Sequence, residues 1–271
     1  DDYCAQGDIQ IAGPPCQTFS PAGNGAGRRA LPRVLEGVAT VAAGRRFTLE
    51  PGEDERTALV LDPLRLALGG RPRFIVWEQV PPVLPVWEAC AEVLRLAGYS
   101  VWTGILNSEQ YGVPQTRRRA FLIARRDGVR AAPPVPTHSR YHNRDPKRLD
   151  VGVLPWVSMA EALGWGAAGR PSATVTGGGT DTGGAEPINQ WNRFQRTTAN
   201  SWVQRRPATT VQGDPRIATA GHHDRQMNGA VRVTVAEAAA LQTFPPGHPF
   251  QGSKGKQYLQ IGNAVPPLLG V

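Results

Sequence analysis

The chain has 271 residues, 40% apolar and 19% charged, long enough to bury a core without disulfide or metal staples, which excludes a mini-protein. No apolar run approaches the roughly 18 residues that a membrane span needs, and no signal peptide is recognisable. The formal net charge of +8 lies mostly in the second half: residues 1–135 carry 16 basic and 14 acidic side chains, residues 136–271 carry 14 and 8. Among the 30 basic residues only Lys147, Lys254 and Lys256 are Lys. An Arg excess suits bidentate contacts to phosphate and guanine, although a compositional bias toward Arg, Ala, Gly and Pro gives the same counts. Cys4, Cys16 and Cys90 show no C-x-x-C spacing, so neither a disulfide framework nor a zinc ribbon is expected and a reducing compartment is the default.

The chain opens Asp1-Asp2-Tyr3-Cys4 without Met and runs almost at once into a strand, Asp8 to Ala12, as a fragment would. That strand ends at Gly13-Pro14-Pro15, whose prolines cannot continue a ladder. A loop with Gly23, Gly25 and Gly27 follows. Leu59, Val60, Leu64 and Leu68 recur at helical spacing over Arg56 to Leu68, and Phe74-Ile75-Val76-Trp77 is a continuous apolar strand bounded by Arg73 and Glu78. Val86, Ala89, Cys90, Val93, Leu94 and Ala97 mark another helix with Gly98 as its C-cap; Tyr99 to Ile105 and Ala120 to Ala124 are two more strands. This alternation predicts an α/β layered sheet.

Near residue 130 the texture changes to a basic, proline-punctuated stretch through Pro133, Pro136, Arg140, Arg144 and Arg148, and a boundary is placed there. Ser158, with Glu161 three residues on, caps a short helix over Ser158 to Leu163. The run Gly177-Gly178-Gly179 with Gly183-Gly184 is a loop and not a phosphate cradle, because no Gly-Lys-Ser/Thr follows. The segments Arg170-Pro171-Ser172-Ala173-Thr174-Val175 and Arg206-Pro207-Ala208-Thr209-Thr210-Val211 resemble one another and are expected to be two edge strands of one substructure. Regular texture returns over Thr234 to Leu241.

Four constellations carry candidate chemistry. Pro14-Pro15-Cys16-Gln17 sets a Cys directly after a strand, where open α/β sheets present ligands, although a lone Cys is more often an inert buried residue. Trp77-Glu78 ends the next strand with a carboxylate, which would meet Cys16 if the two strands are neighbours; a surface Glu capping the next helix is the plainer alternative. In Gln115-Thr116-Arg117-Arg118-Arg119, alternation directs Gln115, Arg117 and Arg119 to one face, while a charge run is usually just solvated. Gln260-Ile261-Gly262-Asn263-Ala264-Val265-Pro266-Pro267 is a tight turn followed by prolines, suited to close approach of a ligand and equally ordinary as a loop.

In order, the series G-P-P-C-Q-x-F-S, W-E-Q-V, Q-x-R-x-R, R-P-x-x-T and G-N-x-V-P-P closely resembles the DNA cytosine-5 methyltransferase family, over nearly the whole chain. Val113-Pro114-Gln115 and Leu241-Gln242-Thr243-Phe244-Pro245 are supporting matches. The resemblance implies a Rossmann-like, S-adenosylmethionine-dependent methyltransferase sheet and a smaller irregular target-recognition domain. The implied layout is a partial catalytic domain over 1–130, target recognition over 131–205 and a return to the catalytic domain over 206–271. It makes Cys16 the nucleophile that adds to C6 of cytosine and Glu78 the group that hydrogen bonds or protonates N3. Arg119 orients Glu78, while Arg117 and Gln115 support the Cys loop and the base. No residue is identifiable as the base that removes the C5 proton. The target cytosine must be flipped out of the duplex at a cost of a few kcal/mol.

The implied methyl donor is S-adenosylmethionine, no metal is implied, and the donor positions carried over are Pro15, Leu59, Asn263 and Ala264. Arg140, Arg144, Lys147 and Arg148 are candidate phosphate binders, with Gln17, Ser20, Arg206 and Thr210 as further DNA contacts and the Gly177 to Gly184 loop near a groove. Duplex DNA is the implied partner, a restriction endonuclease the implied companion, no membrane is involved, and the complete enzyme would be a cytoplasmic monomer of bacterial or phage origin.

The chain departs from the family in two ways. The Phe-x-Gly-x-Gly segment and the acidic residues after the next two strands are absent, so the first strand is expected to be an open edge and donor binding by this chain alone to be weak or nil. The explanations, in order of preference, are a longer polypeptide, a second chain that supplies the missing part, and a decayed relic. Gln79 stands where the family usually has Asn, and its extra methylene is expected to shift the hydrogen bonds that hold the Cys loop. A zinc deaminase is excluded because Phe19 occupies the position of its second Cys. An RNA cytosine-5 methyltransferase of the same fold and a non-enzymatic DNA-binding module remain as alternatives.

Overall fold

The computed structural model describes residues 7–20, 25–142, 144–145, 147–164, 207–209, 211, 216–217 and 231–270. The chain divides into two compact units, the first made of Asp1–Leu106 and Arg118–Val135, the second of Asn107–Arg117 and Pro136–Val271. The first unit thus closes five residues past the boundary read at 130, and residues 107–117 are part of the second unit.

The first unit is built on strands β1 (Ile9–Ala12), β2 (Phe74–Gln79), β3 (Ser100–Asn107) and β5 (Arg118–Arg125) in the order β1-β2-β5-β3. β1 runs parallel to β2 with Ile9 opposite Phe74, and β2 runs antiparallel to β5 with Glu78 opposite Phe121. Alternation along β2 buries Ile75, Trp77 and Gln79 on one face. Helices α2 (Leu31–Ala42), α3 (Asp62–Gly70) and α4 (Leu84–Leu96) share the core of that face through Val34, Val38, Leu64, Val86, Trp87, Cys90 and Leu94. The Trp77 and Trp87 rings meet at 5.3 Å. Each fully buried large apolar side chain contributes about 1.5–3 kcal/mol, so this layer is what fixes the position of β2.

Proline marks the first turn of all three helices, Pro32, Pro63 and Pro85, where a missing N–H costs nothing. Pro63 also explains why the helix expected over Arg56 to Leu68 is two elements. A 3-10 turn, Glu55–Leu61, capped by the Asp54 side chain on Arg56 N, gives way to α3, because proline starts a new helix and cannot continue the preceding one. α1 (Ala26–Arg29) falls in the region expected to be loop, and α2 lies where no element is expected. On the other sheet face, Ile9 is 61% and Ile11 80% exposed, and β1 is the edge of the described sheet.

In the second unit, β4 (Gln115–Thr116) pairs in parallel with β6 (Ala208–Thr209), and β7 (Arg216–Ile217) pairs antiparallel with β8 (Val231–Arg232). Helix α5 (Met159–Leu163) carries the expected capping box from Ser158 and Glu161, and α6 (Val235–Leu241) carries a second from Thr234 and Glu237. With α7 (Lys254–Asn263) they enclose a small core of Met159, Ala208, Val211, Val233, Leu241, Tyr258 and Ile261.

Candidate active site

Parallel pairing of β1 and β2 brings the segment after β1 and the end of β2 to one edge of the first unit. The half-buried Cys16 lies in that segment, and its carbonyl accepts hydrogen bonds from Phe19 N at 3.1 Å and Ser20 N at 2.7 Å, which closes a turn. Phe19 is wholly buried and anchors the turn in the core. A Cβ at Gly27 would come within 2.7 Å of the Phe19 ring, so only glycine allows that approach. Behind Cys16 the loop is tied to β2: the Gln79 Nε2 donates to the Pro14 carbonyl at 2.6 Å, and the Gln79 Oε1 accepts from Val80 N at 2.6 Å. Gln79 therefore clamps the Pro14-Pro15-Cys16 loop, and its longer arm reaches the carbonyl.

Glu78 alternates to the face opposite Gln79. It is opposite Phe121 in register, so Arg119, two residues earlier on β5, is its diagonal neighbour on the same face. Arg119 Nε donates to Glu78 Oε1 at 2.8 Å, with the two side chains only 13% and 14% exposed. Burial lowers Arg119 from its ordinary value, while the charges of Glu78 and Cys16 and the Glu78 hydrogen bond raise it; a guanidinium in this setting stays charged. The structure thus brings Cys16, Glu78 and Arg119 together. The arrangement offers a thiol nucleophile beside a carboxylate held in one orientation, which suits addition to an electron-poor ring while a neighbouring ring nitrogen is hydrogen bonded.

Gln115 and Arg117 are counted with the second unit, and their described hydrogen bonds lie within it. β4 ends at Thr116, Arg117 lies between strands, and β5 starts at Arg118, so the run is broken and strict alternation does not apply. Arg117 is 1% exposed and donates to the carbonyls of Gly262 at 3.0 Å and Ala264 at 2.9 Å. Gln115 donates to Leu241 O and Gln242 Oε1 and accepts from Val211 N. The fully buried Gln242 also donates to Ala264 O at 2.7 Å. Gln242 has no role in the sequence reading beyond the Leu241-Gln242-Thr243-Phe244-Pro245 match, although a polar residue between Leu241 and Phe244 is the signal that marks it. Arg117 and Gln242 thus hold the Gly262–Ala264 backbone, Gln115 bonds Gln242 in turn, and Asn263 is exposed.

Of the other candidates, Leu59 is 38% exposed on a turn whose neighbours Val60 and Leu61 are buried, and Pro15 is half-buried. Gln17 is exposed and Ser20 half-buried. Arg140, Arg144, Lys147 and Arg148 are exposed on a loop held at its base by Asp150, which accepts from Arg140 N and pairs with His142, each at 2.9 Å. Arg206, Thr210, the 170–175 segment and the 177–184 loop lie outside the described residues.

The family model of C-5 cytosine-specific DNA methylase matches residues 2–270. The chain is similar to Type II methyltransferase M1.HphI of Haemophilus parahaemolyticus, 30% identical over 278 residues, or 97% of this chain and 66% of that protein. It is also similar to Type II methyltransferase M.SacI of Streptomyces achromogenes, 29% identical over 297 residues, or 97% and 69%. The chain thus spans about two thirds of the length of these relatives. Among solved structures, the S. pombe Dnmt2 methyltransferase matches with a TM-score of 0.52 at 16% identity, over 97% of this chain and 75% of that one. That match shows the fold, a Rossmann-like methyltransferase sheet.

Proposed function

The chain belongs to the C-5 cytosine-specific DNA methylase family, and from that premise we propose that it transfers a methyl group from S-adenosylmethionine to C5 of a cytosine flipped out of duplex DNA. The observation that carries the reading is the Glu78–Arg119 pair at the edge where the clamped Cys16 loop emerges. Cytosine C5 is a weak nucleophile. Addition of the Cys16 thiolate to C6, with Glu78 hydrogen bonded at N3, would place the electron pair on C5, which would form the bond to the methyl carbon as the methyl–sulfonium bond breaks and its electron pair leaves on sulfur as the neutral thioether. Loss of the C5 proton and departure of the Cys16 sulfur restore the aromatic ring and free the enzyme. Arg119 holds Glu78 in one orientation throughout.

The donor, when bound, supplies an electrophilic methyl on a sulfonium. The residues present suit its apolar portion: Leu59 is kept 38% exposed among buried neighbours and Pro15 is half-buried at the same edge as Cys16. Asn263 and Ala264 are the candidates on the second unit, on a backbone held by Arg117 and Gln242. Residues 131–205 are the proposed target-recognition region, with Arg140, Arg144, Lys147 and Arg148 on backbone phosphates and Gln17, Ser20, Arg206 and Thr210 as further contacts. A companion endonuclease reading the same site belongs to the proposal.

The test is transfer of radiolabelled methyl to a mixed-sequence duplex by the 271-residue chain, with tRNA as the second substrate. Label appearing as 5-methylcytosine in duplex DNA, and lost in Cys16→Ser, is expected. Label on tRNA alone would move the reading to RNA, and binding without label would leave a DNA-binding module. Neutralising the four loop basics should lower the salt slope of DNA binding by up to about 4, roughly one per phosphate contact; an unchanged slope removes them from the interface.

A further inference from the structure

We propose that the first unit carries a second anion site, a cleft at the sheet end opposite Cys16 and Glu78 that takes the backbone phosphates of nucleic acid. β5 runs from Arg119 beside Glu78 to Arg125, so its far end is about 20 Å from the catalytic edge. There a cleft of about 540 Å³ is lined by Arg95, Tyr99, Ser100, Arg125, Arg126 and Arg130. Its walls are tied together: Tyr99 donates to Pro72 O at 2.6 Å, Arg126 N to Arg73 O at 3.1 Å, and Ala131 N to Ser100 Oγ at 2.9 Å.

Main-chain carbonyls hold Arg126 and the adjacent Arg71, and share Arg95 with Glu92. Arg126 Nε donates to Pro72 O at 3.1 Å, Arg95 Nη2 to Val101 O at 3.2 Å and the adjacent Arg71 Nη2 to Ala97 O at 3.3 Å. A carbonyl positions a guanidinium without cancelling its charge. The carboxylates nearby are already committed: Asp127 to Arg125 and, at 3.8 Å, Arg73, and Glu92 to Arg95 at 2.6 Å. Among the described residues Arg71, Arg126 and Arg130 form no ion pair. Net positive charge therefore remains on Arg126 and Arg71, both pre-positioned by carbonyls, and on the exposed Arg130, planar forks whose donor geometry fits phosphate oxygens. Tyr99 is 5% exposed and its hydroxyl is engaged, so the lining offers no ring on which a base could stack, and recognition would be of phosphate alone. The choice of nucleic acid among polyanions rests on the function proposed above. At this separation the cleft would engage a stretch of backbone other than the one at the reacting base.

The experiment uses the full 271-residue chain and a fluorescent dA·dT duplex, which offers phosphates but no cytosine. Binding is followed by anisotropy against salt, with inorganic pyrophosphate as competitor. In Arg126→Ala/Arg130→Ala the slope of log affinity against log salt should fall by about 2 and low-salt affinity by about 10-fold. Arg130→Glu, at an exposed side chain without an ion pair, should lower the slope without disturbing the fold. An unchanged slope in both variants would overturn the proposal, as would binding of pyrophosphate at the cleft with no effect on duplex affinity. Adduct formation at Cys16 with 5-fluorocytosine DNA, read in parallel at saturating duplex, should be the same in these variants as in the parent. A slope loss with no adduct in any form keeps the cleft and sinks the catalytic reading; an adduct with no slope loss does the reverse.

Discussion

Gln79 is 2% exposed and spends both ends of its amide on the loop and turn beside Cys16. Gln79→Ala would leave Val80 N and the Pro14 carbonyl without these partners at a cost of about 1–3 kcal/mol. It should also slow reaction at Cys16 by about 10-fold or more, since a nucleophile displaced by about 1 Å loses rate steeply. Denaturant unfolding and the rate of adduct formation check the two effects. The same scale separates the two described cysteines. Cys90 is buried in the α4 core, and burial pushes its thiol up to about 12, so it stays protonated through pH 9. Iodoacetamide should label the half-buried Cys16 in the folded chain and Cys90 only after unfolding, as read by peptide mass; Cys90 labelling at the Cys16 rate would contradict this core. The placement of Cys16 and Glu78 at one sheet edge was legible because the first follows an apolar strand and the second lies at the end of one. The role of Gln79 was not, since a glutamine's partner 65 residues away depends on strand pairing that no local pattern specifies.

At the scale of elements, apolar runs and caps were legible for β1, β2, α4 and α5, because these carry their signals within a few residues. Helix α2 was missed although Val34, Val38 and Val41 sit at helical spacing; the glycines ahead of it gave the stronger local signal of a loop. The basic loop around Arg144 has its own device. Asp150 is held below the ordinary carboxylate range, chiefly by the Arg140 N–H and then by His142. Because its folded value is depressed, this support is complete above the ordinary value of 3.8 and is lost as pH falls through the lower, folded one. The hydrogen-exchange protection of the Arg140 amide should therefore hold from neutral pH to about 4 and collapse below it. Asp150→Asn should reduce that protection already at pH 7. Protection unaltered in Asp150→Asn would show that the loop is pinned by other contacts.

For the molecule as a whole, the candidate residues fall on two units: Cys16, Glu78 and Arg119 on the first, Gln115, Arg117, Asn263 and Ala264 on the second. Linear order made these motifs readable as one series but gave no hint that residues 107–117 leave the first unit, since that depends on which core the segment joins. Among the described residues β1 is the edge of its sheet, with Ile9 and Ile11 largely exposed. We propose above all that Cys16, beside the Glu78–Arg119 pair, forms a covalent bond to cytosine. The direct measurement is intact mass of the 271-residue chain after incubation with a 5-fluorocytosine duplex library and S-adenosylmethionine, since fluorine at C5 blocks release. With S-adenosylmethionine in enough excess to offset the weak donor binding expected of this chain, the expected result is a donor-dependent adduct mapping to Cys16, absent in Cys16→Ser and formed at least about 100-fold more slowly in Glu78→Gln. An adduct at another residue, or one that Glu78→Gln forms at the parent rate, would contradict it.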